Sequence, residues 1–359
     1  KSIEVGDRVA THAYHNGHRA NMWVRRSSDC VLEGITAHSG AGMNILPTLN
    51  EGPIAIRRTV NKPRPGSNNI VATIRDGIHC RSNRGPMLIE ECWFEGMMDD
   101  SINIFSLGYA CRKLTEDGGI LMFSAGSGEP SDFFRPGDKV ALLDRSSGNY
   151  LAKLTVKKAV PQFRDNRDPD RRNRFFTLYF EEELPTGIVY GAADGRGATE
   201  VYNLNACGAG SVVRKNTFMS QRRHALLLSA PNTAFVDNIV DGIQGSAVSG
   251  STQGHFVCGP IPEGTIVMNN KISNTGLEAI KFYTHGTVGK KGDLSRSPAK
   301  GFVIRGNSIE YKYADAIRLL NVNGAVIKDN TIVAAPDADS GKKAIRLTRC
   351  DGIDQAENK

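Results

Sequence analysis

Three aspartates carry the densest chemistry in this 359-residue chain. Asp76 opens the run Asp76-Gly77-Ile78-His79-Cys80, and Asp99-Asp100-Ser101-Ile102-Asn103 repeats the phrase 24 residues later, counted from Asp76 to Asp100. A lone aspartate at a turn is commonplace. A pair set against a third is not, because close carboxylates repel and at least one is driven to hold its proton. One protonated and one ionised carboxyl group is the pairing that glycosidic cleavage uses, with an acid for the leaving oxygen and a base or nucleophile at the anomeric carbon.

The elements that must position these side chains show as a repeat. Its first phrase is Asn, a small or polar residue, then an apolar one: Asn216-Thr217-Phe218, Asn238-Ile239-Val240, Asn270-Lys271-Ile272, Asn307-Ser308-Ile309 and Asn330-Thr331-Ile332. A second phrase follows eight or nine residues later in most copies, as His224-Ala225-Leu226, Ser246-Ala247-Val248, Glu278-Ala279-Ile280 and Asp315-Ala316-Ile317, with Lys343-Ala344-Ile345 a looser copy. The aspartate runs are upstream copies of that second phrase, and Cys92-Trp93-Phe94 falls where an Asn phrase belongs. A unit of 22 to 24 residues, stretched in places to 32 or 37, leaves no room for a helix. Three short parallel strands per turn predict an all-β fold, a right-handed parallel β-helix. The Asn fits an inward turn position where side-chain amides bond from coil to coil. Ile78, Cys80, Ile280 and Phe282 are expected to point inward, and His79, Asn103, Lys281 and Arg318 outward. Stacked strands lie about 4.8 Å apart, so Asp76 and Asp100 become neighbours with Asp99 beside them.

No repeat phrase occurs between Ser106 and about Ala206. The alternating runs there, such as Lys139-Val140-Ala141-Leu142 and Phe175-Phe176-Thr177-Leu178-Tyr179-Phe180, predict an inserted small antiparallel β-barrel lobe that walls one side of the aspartates. The expected organisation is an entry segment or partial barrel over 1–26, coils over 27–106, the barrel over 107–205, and coils over 206–359. The run Val5-Gly6-Asp7-Arg8-Val9-Ala10 echoes Pro136-Gly137-Asp138-Lys139-Val140-Ala141, so the chain is expected to begin inside a similar barrel with earlier coils before it.

Composition narrows the function. No run of 18 apolar residues exists, so no membrane-spanning helix is implied. The net charge is +7, but its basic run at 164–174 mixes both signs and reads as a solvated loop, not a nucleic-acid tract. Seven scattered cysteines without a C-x-x-C argue for buried thiols and against a zinc or thioredoxin site. His12, His15 and His18 have the wrong spacing for a metal set. No cofactor and no metal is expected. Along the following coils Arg223 and His224, then Glu278 and Lys281, join His79 and Asn103 as candidates for holding sugar hydroxyls. Two rival readings stay open. A polysaccharide lyase or epimerase would need Lys281 or Arg318 as its base. A non-catalytic glycan-binding β-helix of the tailspike or adhesin kind would need only a surface.

On Asp76–Cys80, on Gly85-Pro86 with Ile89-Glu90, and on Asp99–Asn103, the chain resembles glycoside hydrolase family 110, the bacterial exo-acting α-1,3-galactosidases. The likeness extends over nearly the whole chain. It implies a β-helix interrupted by small barrels, metal-independent hydrolysis with inversion, and Asp76, Asp99 and Asp100 as the catalytic carboxylates. It also implies a glycan partner ending in α-galactose and a secreted or periplasmic bacterial location; a homodimer is left open. Polygalacturonase-type β-helices share aspartate pairs, but their Asn-Thr-Asp, Gly-His-Gly and Arg-Ile-Lys phrases are missing here.

Overall fold

The computed structural model describes residues 20–123, 133–161, 175–191, 197–252, 258–284 and 294–359. The histidines at 12, 15 and 18, the Val5–Ala10 echo and the whole charged run at 164–174 lie outside them. Among the described residues the chain winds through three parallel sheets, visiting one strand of each per coil. The first sheet stacks Met43–Thr48, Ile78–Arg81, Ile102–Leu114, Leu226–Ser229, Val248–Gly250, Ile280–Tyr283, Ile317–Leu320 and Ile345–Thr348. Its leading strand is Ala20–Arg25, which pairs in parallel with Met43–Thr48, so this part of the 1–26 segment is already solenoid and not barrel. Inward positions fill the core: Ile78, Cys80, Ile280 and Phe282 are buried, among a file of Ile, Leu, Val and Phe running the length of the coils. Five of the seven cysteines are buried, two are half-buried, and all are unpaired thiols.

The asparagine phrase forms the expected ladder. Asn238 Oδ1 accepts from the backbone N–H of Asn216 at 2.9 Å and from its Nδ2 at 3.0 Å, and Asn270, Asn307 and Asn330 repeat the arrangement. The backbone N–H of Cys92 donates to Asn216 Oδ1, which confirms Cys92 as the rung before it. Asn358 supplies a further rung without an Asn-x-apolar phrase. Each buried turn would otherwise leave polar groups unmatched, and the ladder satisfies them in series.

Where the repeat lapses, six strands close a ring. Ile102–Leu114 pairs with Ile120–Phe123, which pairs with Phe175–Phe180, then Asn149–Pro161, Lys139–Asp144 and Glu200–Asn203, and the last returns to Ile102–Leu114. Ile102–Leu114 serves both parts: residues 102–105 lie in the parallel sheet, and 108–114 in the antiparallel barrel. The barrel has its own core around Tyr109, Phe134, Phe176 and Leu178. A two-pronged contact fixes it to the coils, with Arg84 Nη1 and Nη2 each donating to Asp138 at 2.8 Å. The barrel follows a first-sheet strand, whereas the long stretch 62–77 follows the third-sheet strand Val60–Asn61 and leads into Ile78–Arg81.

Candidate active site

The second repeat phrase places one residue per coil at the corner just before the first sheet. Pairing of Ile78 with Ile102, Ile102 with Leu226, and so on through Ile317 puts Asp76, Asp100, His224, Ser246, Glu278 and Asp315 in one file two residues upstream. The file has a structural duty. Asp76 Oδ1 accepts from the N–H of Asp100 at 3.3 Å, Asp100 Oδ1 from that of His224 at 3.0 Å, His224 Nδ1 from that of Ser246 at 2.9 Å, and Asp315 Oδ1 from that of Lys343 at 2.9 Å. One acceptor atom of each of these four residues is therefore spent on the scaffold. Gly77 lets the two coils close: a Cβ there would meet the Ser101 carbonyl at 2.8 Å and the Phe94 ring at 2.9 Å.

Asp76, Asp99 and Asp100 converge, with one oxygen from each within 4.8 Å of the others. Asp76 is 4% and Asp100 2% exposed, while the Asp99 side chain is 44% exposed. Burial raises the Asp76 carboxyl well above its ordinary range, and Asp99 raises it further. Burial, then Asp76 and Asp99, do the same to Asp100, and the partial opposition of Arg223 does not cancel them. Arg223 Nε stands 3.8 Å from Asp99 Oδ1 and 4.0 Å from Asp100 Oδ1, at the edge of an ion pair. Oxygens this close can share a proton, and the same spacing could hold a cation.

The two histidines of the site are neutral for one physical reason. Burial pushes His79 down to about 3 and His224 to about 4, with Arg81 reinforcing the first and Arg223 the second. His79 Nδ1 shares a short hydrogen bond with Asp76 Oδ2, and its ring stands edge-on to Phe105 at 5.0 Å. His224 uses Nδ1 as an acceptor, so its remaining proton sits on Nε2 and that nitrogen is a donor. Asn103 follows His79 in the outward file, 7% exposed, with its Oδ1 buried and unpartnered.

Not every candidate joins this group. Glu278 lies three coil steps beyond Asp100, roughly 14 Å away along the stack. It is engaged by Arg318 Nη1 at 2.9 Å and by Lys281 Nζ at 3.4 Å. Burial alone would raise its carboxyl, but the Arg318 hydrogen bond and both cations hold it below the ordinary range. Trp93 lies on the third sheet, its Nε1 donating to Glu95 and Lys62 over its ring. Reading the sequence passed over Arg81 and Thr48. Arg81 was within reach, since strand alternation places it on the outward face two residues after His79.

No family model matches the chain. Three curated relatives are similar over most of it. It is 25% identical to α-1,3-galactosidase B of Akkermansia muciniphila, covering 76% of this chain and 33% of that protein. It is 21% identical to α-1,3-galactosidase A of Bacteroides fragilis (92% and 54%), and 23% identical to α-1,3-galactosidase B of Phocaeicola vulgatus (87% and 53%). The chain thus spans a third to about half the length of these relatives. Among solved structures, a variant of the periplasmic alginate epimerase AlgG aligns with a TM-score of 0.41 and 9% identity, covering 93% of this chain and 70% of that one. The recurrent similarity is thus to enzymes named α-1,3-galactosidase, from several bacteria and over most of this chain.

Proposed function

We propose that the protein is an exo-acting glycoside hydrolase that removes terminal α-1,3-linked galactose from glycans, by acid/base catalysis with inversion and without a metal. The observation that carries this reading is the convergence of Asp76, Asp99 and Asp100, two of them buried and driven to hold protons. One of the three protonates the leaving oxygen and another activates water on the opposite face of the sugar. His79, Asn103, Arg223 and His224 bind sugar hydroxyls around them, and Glu278 and Lys281 do so further along the sheet. A right-handed winding, the division at 106/107 and 205/206, and a secreted or periplasmic setting belong to the same reading. The lyase or epimerase alternative is weakened because its candidate bases, Lys281 and Arg318, are both engaged by Glu278.

Inversion sets a geometric condition. Acid and base must stand roughly 6.5–9.5 Å apart to admit a water, whereas about 5 Å implies a covalent intermediate. The nearest oxygens here lie within 4.8 Å, so inversion requires Asp99, the exposed member, to work with its carboxyl turned away from the buried pair. The test is proton NMR of the first-formed sugar from an α-1,3-linked galactobiose. β-Galactose appearing first is the expected result. α-Galactose first would replace inversion with retention, and no release of galactose would remove the hydrolase reading.

A further inference from the structure

Beyond the aspartates, the outward face of the first sheet carries a second polar group that the reaction does not use. Cα pairing puts Arg25 opposite Thr48, Thr48 opposite Arg81, and Arg81 opposite Phe105, in one file along the coils. Two arginines thus flank one threonine in the stack, one strand spacing of about 4.8 Å to either side. Thr48 is 1% exposed and its Oγ1 has no partner. Arg81 Nε is likewise buried and unpartnered, and among the described residues no carboxylate lies within ion-pair distance of its guanidinium.

Arg81 shares this with Arg112, whose guanidinium lies over the Phe123 and Phe175 rings, but not with four other arginines. Arg84, Arg145, Arg214 and Arg318 each meet a carboxylate within 3.1 Å, on Asp138, Glu200, Glu90 and Glu278. Removing a guanidinium from water without a counterion costs several kcal/mol in general, and a like charge nearby adds to it. Arg81 bears both costs: burial lowers its affinity for its proton, and Arg25 lowers it further. The carboxyls of Asp76 and Asp100 offer Arg81 little relief, because burial and mutual repulsion raise both well above their ordinary range. Arg25 rests on the ring of Trp23 at 5.5 Å, and that ring is 55% exposed, an open stacking face beside the cations.

We propose that Arg81, Thr48 and Arg25 form an anion-recognising subsite, so that the preferred glycan carries a sulfate ester or a carboxylate on or next to the galactose that is cleaved. This rests on the glycosidase reading and sharpens its substrate class. The planar fork of a guanidinium matches two oxygens of either group, and the Thr48 hydroxyl can donate to a third. The spacing suits it: Arg81 stands two residues from His79 on the same face, about 7 Å along the strand, within reach of a substituent on a sugar held at Asp76. Trp23 offers its ring to the sugar that follows.

The test is calorimetric titration of the protein with galactose, galactose 6-sulfate and galacturonic acid at low salt. At least tenfold tighter binding of one acidic sugar is expected, since hydrogen bonds to a charged group are about twice as strong as neutral ones. The arm that gains affinity tells sulfate ester from carboxylate. In Arg81→Gln the ratio of acidic to neutral affinity should fall to within twofold of one, and Arg25→Gln should lower it as well, an independent check should the first variant fold poorly. Equal binding of all three sugars by the unaltered protein would overturn the subsite and leave the glycosidase reading standing. A preference that survives in both variants would overturn the assignment to these residues. Binding of none of the sugars would remove both readings together.

Discussion

The corner file holds carboxylic acids at both ends, and they behave oppositely. At the aspartate end, Asp76 and Asp100 are raised well above their ordinary range. Further along, Glu278 and Asp315 are lowered, although burial works to raise them too. The backbone does not distinguish the two ends: register and corner geometry are shared, and both Asp100 and Asp315 accept the next coil's N–H. What differs is the company each end keeps: Asp76 and Asp100 are deeply buried and repel each other and Asp99, and the outward residue three positions on brings no cation. Asp76 and Asp100 have His79 and Asn103 there, both neutral, whereas Glu278 and Asp315 have Lys281 and Arg318, with Arg346 engaging Asp315. A repeat fold can thus hold one carboxylate position and set its protonation by what surrounds it.

The sharpest way to break this contrast is to remove the acids. Asn in place of Asp76, Asp99 or Asp100 keeps an Oδ1 acceptor for the scaffold and loses the titrating oxygen. Turnover should fall by about 10²–10⁴-fold in each, while the thermal midpoint stays near that of the parent. Ala at Asp100 should instead also destabilise the fold by about 1 kcal/mol, because the His224 N–H loses its acceptor. Full activity in any two of the three Asn variants, measured on an α-galactoside, would dissolve the site.

A smaller effect separates the two ends by pH. A carboxyl raised by folding is protonated in the native protein where the unfolded chain is ionised. The contribution of Asp76 and Asp100 to stability is therefore present below the ordinary carboxylate range and lost as pH rises through their raised values. For Glu278 the sign reverses: its contribution is present above the ordinary range and lost as pH falls through its lowered value. Glu278→Gln should destabilise by about 2 kcal/mol at pH 7 and converge on the parent in acid. Asp100→Asn should be as stable as the parent or more so at pH 7, and lose that advantage near pH 4. Denaturant midpoints at the two pH values decide it, and parallel curves for both variants would show that the ends do not differ.

Much of this was legible in the sequence, for reasons of period. A side chain that bonds to its own counterpart one coil on must recur, so the asparagine ladder and the corner file both announce themselves as phrases. Asp76 and Asp100 share the corner because Ile78 and Ile102 share the core. Contacts that cross the repeat left no such trace. Pairing of Arg84 with Asp138 joins residues 54 apart, through an insertion with no coil period. The continuous strand Ile102–Leu114 conceals the point where coil becomes barrel. The engagement of Glu278 by Arg318, one coil further on, likewise left no mark in its own phrase. Arg81 was overlooked for the opposite reason, as what marks it is a missing partner.

The smallest expected effect concerns metal. Three oxygens within 4.8 Å could be bridged by a cation, and a cation must displace protons from any acid it binds. The burial and mutual repulsion that raise Asp76 and Asp100 therefore also weaken the cluster as a metal ligand near pH 7. A cation would gain ground only at higher pH, where the pair ionises. Dialysis against a chelator should then leave the rate of galactoside hydrolysis unchanged within twofold at neutral pH. Added millimolar calcium should inhibit more strongly as pH rises, by competing for the proton that catalysis needs. Loss of activity on chelation, restored by one divalent ion, would mean that these carboxylates serve as ligands and not as acid and base. It would also end the contrast with Glu278 and Asp315, since both ends would then be neutralised by cations, one bound from solution and the other built into the chain.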